Sequence, residues 1–154
     1  MLLTNGQPAP DFNLPADDGS MVRLSKLRGS PVVVYFYPKD DTPGCTIEAI
    51  DFTRLAPEFA KAGATVIGIS PDSVADHCDF RDKHKLGVRL AADADKAVAK
   101  AYGVWVEKKN YGKTYMGIER TTVLVDAGGA VAKIWRKVKV EGHAQSVLEA
   151  VKTL

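Results

Sequence analysis

Apolar residues fall into short runs that alternate with helical patterns along the chain. The run from Val32 to Tyr37 is β-branched and aromatic, is apolar on both faces and is closed by Pro38. These features are typical of a buried central strand. Residues 64–69 repeat the pattern and predict a second buried strand. Between the two runs, apolar residues recur at helical spacing from near Gly44, and Pro57 should kink or break this helix.

The rest of the chain continues the alternation of strands and helices. The further predicted elements are an N-terminal hairpin over residues 11–24, a helix over 73–86, a short strand over 88–91, a helix over 95–102, two strands over 121–126 and 131–138, and an amphipathic helix over 141–154. Residues 104–119 have the weakest pattern, which predicts a long loop. Helical crossovers make the early strands parallel, and the late hairpin adds an antiparallel pair. The predicted fold class is α/β, a mixed central sheet flanked by helices.

Length and charge narrow the possible functions. A chain of 154 residues predicts one domain over residues 1–154. The net charge is only +2, which argues against binding to nucleic acid or an anionic membrane. A basic stretch around Trp135 (Lys133, Arg136, Lys137, Lys139) is interpreted as a solvated strand edge. No apolar run approaches the ~20 residues of a membrane span. Residues 1–10 do not resemble a secretion signal, so the expected location is the cytoplasm.

The candidate chemistry centres on Cys45, one of two cysteines in the chain. A free cysteine is most often a small buried apolar residue. Cys45, however, follows a buried strand and opens a helix, where unpaired N–H groups and the helix dipole stabilise a thiolate. Thr42 is the predicted N-cap, and Pro43 fits the first helical position. Gly44 would leave room for a small substrate near the backbone.

A metal site is the alternative suggested by His77, Cys78 and His84. Their spacing matches none of the usual zinc patterns, and no second Cys/His cluster accompanies them. We therefore expect no metal and interpret both histidines as partly exposed helix residues.

The residues around Cys45 resemble a known family. Pro38, Thr42 and Cys45 form P-x-x-x-T-x-x-C, which looks like the peroxiredoxin active-site motif. The longer string YPKDDTPGCTIE resembles the bacterioferritin-comigratory (BCP/PrxQ) branch, as do APDFNLP, GATVIGIS, GIERTTVLVD and WRKVKVEGH, in the same order. The resemblance implies a thioredoxin-like fold and reduction of hydrogen peroxide or organic hydroperoxides. It also implies a thiol reductant such as thioredoxin, no cofactor, and a monomer.

Four positions match functional places of the motif. The resemblance makes Cys45 the peroxidatic nucleophile and Thr42 the hydroxyl that hydrogen-bonds peroxide and thiolate. It makes Arg120 the active-site arginine and Pro38 the residue that shields the site. Fixed donors from an arginine would lower the barrier to peroxide cleavage. Glu48, one turn after Cys45, fits either a group that orients its neighbours or a solvated carboxylate.

The second cysteine leaves two alternatives open. Many members of the branch have a resolving cysteine five residues after the first, where this chain has Ile50. Other members have it in a later helix, where Cys78 lies. Either Cys78 condenses with the Cys45 sulfenic acid to form a disulfide, which thioredoxin reduces, or Cys78 is a bystander and an external thiol completes the cycle.

Two other functions compete with the peroxidase. A thiol–disulfide oxidoreductase on the same fold usually has a C-x-x-C pair, which is absent around Cys45. A non-catalytic binding module would bury both cysteines, and its Cys45 would react slowly with alkylating reagents at neutral pH.

Overall fold

The computed structural model describes residues 3–154 and contains one large sheet and two small ones. The strands are β1 (Asn13–Pro15), β2 (Met21–Arg23), β3 (Val32–Phe36), β4 (Thr65–Ser70), β5 (Arg89–Ala92), β6 (Trp105–Asn110), β7 (Lys113–Ile118), β8 (Thr121–Val125) and β9 (Val131–Trp135). The helices are α1 (Pro43–Arg54), α2 (Ala56–Lys61), α3 (Val74–His84), α4 (Ala97–Ala101) and α5 (His143–Lys152). A 3₁₀ turn spans Leu24–Leu27.

The large sheet has the mixed topology that the sequence predicts. Its strand order is β5-β4-β3-β8-β9. The first three strands are parallel, because helices connect them, and β8 and β9 are antiparallel to their neighbours. Strand β3 is central and fully buried, with Val34 paired to Ile67 on one side and to Val123 on the other. The predicted N-terminal hairpin is confirmed as β1 and β2.

Alternate residues of β3 point into two separate cores. Val32, Val34 and Phe36 join the core that also contains β1, β2 and α4. Val33 and Tyr35 join the core beneath α1, α2 and α5. The fully apolar pattern of β3 follows from this burial on both faces. Cys45 belongs to the second core, so the tight packing around Tyr35 fixes its position.

Proline divides the first helical segment, as predicted. Helix α1 ends at Arg54 and α2 begins at Ala56, with Pro57 in its first turn. Proline has no backbone N–H and its ring blocks the preceding turn, so a continuous helix cannot pass through this position. Among the described helices, none is both long and apolar enough to cross a bilayer.

The prediction of a loop over residues 104–119 is wrong. Strands β6 and β7 form a hairpin there, joined by a two-residue turn in which Tyr111 and Gly112 have φ values of 51° and 73°. Most of its side chains are exposed on both faces, so the alternation that marks a half-buried strand is missing. The turn lacks the usual Asn-Gly or Asp-Gly sequence.

The interpretation of the basic stretch as a strand edge is confirmed for its first residue and wrong for the three that follow the strand. Strand β9 forms an edge of the large sheet, and Lys133 on it is exposed. The Lys133 ammonium group lies 5.0 Å from the ring centroid of Trp135, a cation–π contact on the same strand. Lysines on an edge strand oppose pairing with other chains. The strand ends at Trp135, so the basic residues that follow are in a loop.

Candidate active site

The first turn of α1 holds Cys45 at its third residue, as predicted. Pro43 opens the helix, and the first helical bond runs from the Thr46 N–H to the Thr42 carbonyl at 2.8 Å. The N–H groups of Gly44 and Cys45 therefore have no partner within the helix. These donors and the helix dipole favour negative charge at this end of α1. The Cys45 side chain is 1% exposed.

Arg120 completes the surroundings of the Cys45 sulfur. It immediately precedes β8, and its Nη2 donates a hydrogen bond of 3.3 Å to Cys45 Sγ. Gly44 makes this approach possible, because a Cβ at that position would lie 3.1 Å from Arg120 Nη2. From the sequence we expect the space beside Gly44 to be open to a substrate. In the structure the Arg120 guanidinium group occupies part of that space. The contact places a positive charge beside the Cys45 sulfur.

Glu48 holds the other side of the Arg120 guanidinium. Arg120 Nη1 donates to Glu48 Oε1 at 2.7 Å, and the Glu48 side chain is buried. Burial raises the pKa of Glu48 to about 7 although the nearby Arg120 charge opposes the rise. Burial lowers the pKa of Arg120, but the charges of Glu48 and Cys45 outweigh it and the net shift is upward. Of the two alternatives for Glu48, the structure favours the orienting group.

Thr42 occupies the N-cap position but does not cap the helix with its side chain. Its hydroxyl donates to the Lys39 carbonyl at 2.9 Å instead. The predicted N-cap position is confirmed, and the turn before α1 brings the Lys39 carbonyl within reach of the hydroxyl. The hydroxyl oxygen keeps its lone pairs available as hydrogen-bond acceptors. Pro38 lies directly after the last buried residue of the β3 run and is partly buried, and its shielding role stays a prediction.

His77 is a buried residue, and the interpretation of it as partly exposed is wrong. Its Nδ1 lies 2.6 Å from Asp40 Oδ2 and its Nε2 lies 3.0 Å from the Ala91 carbonyl oxygen. Tyr37 donates to Asp40 Oδ1 at 2.6 Å. These partners offset the cost of burying a polar ring. His84, in contrast, is partly exposed as expected and contacts Asp41 at 2.9 Å.

Asp40, Asp72 and His77 form a candidate metal group within residues 3–154. One potential ligand atom from each lies within 4.8 Å of the others. Protein hydrogen bonds already use these atoms, since Asp72 Oδ2 accepts from the Ser70 hydroxyl at 2.6 Å and from the Asp40 N–H at 2.8 Å. The group is satisfied without a cation and links the loop before α1 to α3.

Cys78 lies on α3, away from the contacts of Cys45. It is partly exposed, and its thiol donates to the Asp17 carbonyl at 3.3 Å. Both cysteines are free thiols. The structure thus joins Cys45 and Arg120, places Thr42 in the preceding turn, and leaves Cys78 with different neighbours.

A cleft of about 360 Å³ opens beside Arg120. Hairpin β6–β7 forms one wall, with Val106 and Lys108, and Lys137 and Val138 form another. Sequence reasoning missed this wall because it treated residues 104–119 as a loop. Burial lowers the pKa of Lys108, and the Arg120 charge lowers it further.

Comparisons with known proteins agree with the geometry. The model of the AhpC/TSA family matches residues 5–134. Peroxiredoxin Bcp of Bacillus subtilis is 48% identical over 154 residues, which cover 100% of this chain and 98% of that protein. Peroxiredoxin Bcp of Escherichia coli is 41% identical over 150 residues, which cover 97% and 96% of the two chains.

Solved structures are similar over the same length. The bacterioferritin comigratory protein of Xanthomonas campestris matches with a TM-score of 0.91 and 44% identity, covering 97% of this chain and 98% of that one. A cysteine-to-serine variant of PrxQ from Xylella fastidiosa matches with a TM-score of 0.94 and 36% identity, covering 99% and 98%. These matches confirm the thioredoxin-like fold.

The family model spans most of the chain, and the relatives match along its whole length. The protein therefore belongs to the AhpC/TSA family, in its bacterioferritin-comigratory (BCP/PrxQ) branch of peroxiredoxins, and is a thiol peroxidase.

Proposed function

We propose that Cys45 is the peroxidatic nucleophile. Its thiolate attacks the terminal oxygen of a hydroperoxide, the O–O bond breaks, and the departing alkoxide or hydroxide takes up a proton. The products are a Cys45 sulfenic acid and an alcohol or water. The observation that carries this proposal is the 3.3 Å bond from Arg120 to Cys45 Sγ at the start of α1. Cysteine reactivity depends on surroundings of this kind, in which a cation and a helix N-terminus favour the thiolate.

The other motif residues act on the peroxide. Arg120 and the free N–H groups of the first turn offer donors to the oxygen on which charge develops. The Thr42 hydroxyl oxygen can accept a hydrogen bond from the attacked hydroperoxide while it donates to the Lys39 carbonyl. Pro38, at the end of the buried β3 run, would limit water around the thiolate. Because all of these groups are present before the substrate arrives, little reorganisation is needed during the reaction.

Resolution by Cys78 is the second step that we propose. The Cys78 thiol attacks the sulfenic sulfur, a disulfide forms and water leaves. A thioredoxin-type dithiol then reduces the disulfide by exchange. A disulfide needs Cα atoms within about 7 Å. Cys45 lies in the first turn of α1, whereas Cys78 lies on α3 and donates to the Asp17 carbonyl. We therefore expect the first turn of α1 to open. In the alternative, an external thiol reduces the sulfenic acid and Cys78 takes no part.

An intact-mass measurement separates these routes. The reduced protein is treated with one equivalent of hydrogen peroxide and analysed without reductant. A loss of about two mass units indicates the Cys45–Cys78 disulfide, and a gain of oxygen on Cys45 indicates dependence on an external thiol. We expect the loss in the native protein and the gain in a Cys78→Ser variant. An unchanged mass would contradict the assignment of Cys45.

Organic hydroperoxides are the second substrate class that we propose. The X. campestris relative is described as having alkyl peroxide reduction activity. The cleft beside Arg120 has room for an organic group, and its otherwise charged lining includes the apolar side chains of Val106 and Val138. A hydroperoxide could then place its terminal oxygen at Cys45 and its organic part in the cleft. Hydrogen peroxide needs no such space.

A Val106→Trp substitution should narrow this cleft and change the substrate preference. We expect kcat/KM for cumene hydroperoxide to fall roughly tenfold, which corresponds to about 1.4 kcal/mol of lost transition-state binding. The value for hydrogen peroxide should change much less. Steady-state kinetics with both substrates measure the ratio, and a Val106→Leu variant controls for the loss of valine. Equal losses for both substrates would show that the cleft does not bind the organic group.

The remaining expectations stay predictions. These are a single domain over residues 1–154, a monomer, a cytoplasmic location, thioredoxin as the reductant, and the absence of nucleic-acid and membrane binding.

A further inference from the structure

Both ring nitrogens of the buried His77 face hydrogen-bond acceptors. A carbonyl oxygen has no proton to give, so the 3.0 Å contact with Ala91 requires a proton on Nε2. Nδ1 lies 2.6 Å from Asp40 Oδ2. A ring with a bare Nδ1 would turn its lone pair toward an ionised carboxylate at that distance. The arrangement is therefore satisfied only when the pair holds one more proton, as an imidazolium beside a carboxylate.

Asp40 is fixed by more than its contact with His77. Its other carboxylate oxygen accepts from Tyr37, and its backbone N–H donates to Asp72. The anchor thus joins four parts of the fold: the end of the β3 run, the loop after β4, the helix α3 and the strand β5. Three of these parts contact Asp40 itself, in the loop before α1, and strand β5 is joined to it through His77.

The backbone next to this anchor is in an unfavourable conformation. Asp41 has a φ of 61°, the left-handed region that residues with a Cβ rarely adopt. Asp41 lies between Asp40 and Thr42, so this turn directs the chain into the first turn of α1. The exposed ion pairs of Asp41 with Lys83 and His84 contribute little to holding it. The buried anchor at Asp40 is the stronger constraint on the strained turn.

We propose that His77 is a positioning residue that, when doubly protonated, holds the loop through Asp40 so that Thr42 and Cys45 have their reactive geometry. This proposal rests on the peroxidatic role of Cys45. Loss of the second proton places a lone pair against the carboxylate, weakens the anchor and releases the strained turn. The peroxidase reaction then slows at alkaline pH.

The charges around His77 determine the direction of this switch. Burial lowers the pKa of His77, but the hydrogen bond and charge of Asp40, the Ala91 carbonyl and the charge of Asp72 raise it above its ordinary value. Tyr37 faces the pair from the position directly after β3, and burial raises its pKa well above the usual value, so it stays neutral. The pKa of His77 is therefore higher in the folded protein than in the unfolded chain. The contribution of protonated His77 to stability is complete below the unfolded pKa, and it is lost as the pH rises through the folded pKa.

An Asp40→Asn variant tests the role of the second proton. The amide can donate to Nδ1 of a neutral His77 and still accept from Tyr37, so the anchor no longer depends on that proton. The measurement is the rate constant of Cys45 oxidation by hydrogen peroxide across pH. We expect the wild-type rate to fall at alkaline pH by roughly 10- to 100-fold, the scale of a misplaced reacting group. The Asp40→Asn profile should lack this fall, and the exposed Asp82→Asn control should keep it.

Nuclear magnetic resonance of ¹⁵N-histidine-labelled protein gives an independent readout. We expect both His77 nitrogens to carry protons at neutral pH in the wild type, and only Nε2 to carry one in Asp40→Asn. The alkaline fall in rate should coincide with the titration of His77. If the variant does not fold, this coincidence in the wild type is still decisive.

Three results would overturn the proposal: a His77 with a bare nitrogen at neutral pH, a rate that does not follow its titration, or an alkaline fall that persists in Asp40→Asn. The protonation of His77 is measured without reference to which cysteine is oxidised. Activity retained by a Cys45→Ser variant would contradict the proposed function instead, so the two failures are distinguishable.

Discussion

Replacing Cys45 with serine is expected to lower peroxidase turnover by more than about 1,000-fold, in effect to the background of the assay. Serine has nearly the same shape, and its hydroxyl can still accept the hydrogen bond from Arg120. It is not ionised at neutral pH, however, and cannot be oxidised to a sulfenic acid. The measurement is hydroperoxide consumption in the presence of a thiol reductant, together with thermal unfolding to show that the fold is retained.

Cys78→Ser is the matched control for this experiment. It changes the same atom in a half-exposed cysteine whose hydrogen bond goes to Asp17 and not to the Cys45 site. The single-turnover oxidation of Cys45 should proceed at the wild-type rate in this variant, whichever resolving route operates. Full activity in Cys45→Ser and none in Cys78→Ser would reverse the assignment of the two cysteines.

The sequence predicts an element well when only one kind of structure explains its pattern of residues. Strand β3 is apolar at every position because both of its faces are buried, and no exposed helix shows such a run. The break at Pro57 follows from the missing N–H. The position of Cys45 is likewise local, because it depends on a strand, a short loop and a helix start that are contiguous in the chain.

The residues that sequence reasoning missed depend on contacts between distant segments. His77 lies on α3, a helix with few apolar residues, so nothing in its own neighbourhood indicates burial. Its partners Asp40 and Ala91 come from segments that meet only in the folded sheet. The hairpin β6–β7 was missed for the opposite reason. It buries so little of its surface that its strands have no apolar periodicity.

The state of Glu48 links the stability of the site to pH. Burial raises the pKa of Glu48 from 4.5 to about 7. At a pH between these two values, the folded protein therefore binds more protons than the unfolded chain. Stability therefore falls as pH rises through this window. A buried carboxylate of this kind does not stabilise the fold, so its presence beside Arg120 is better explained by orientation of the guanidinium group.

Replacing Arg120 with glutamine is expected to lower the rate of Cys45 oxidation by roughly 100- to 1,000-fold, the usual effect of removing a donor that stabilises transition-state charge. The amide has about the same reach but no charge, so both the thiolate and the departing oxygen lose stabilisation. Arg120→Lys should recover only part of the loss, because one ammonium cannot hold Glu48 and Cys45 with a planar pair of donors. Stopped-flow kinetics with hydrogen peroxide measure the rate constants.

The Glu48 carboxyl complicates this variant, because without Arg120 it is left buried beside a neutral group. The double variant Arg120→Gln/Glu48→Gln removes that problem and should be more stable than Arg120→Gln alone, yet equally slow. Recovery of the rate in the double variant would mean that the unpaired carboxyl, and not the missing donor, caused the loss. Glu48→Gln alone keeps the Arg120 guanidinium group and its bond to Cys45 Sγ. The charge of Arg120 then remains, although the group is oriented less firmly. We therefore expect a smaller loss of oxidation rate than in either arginine variant.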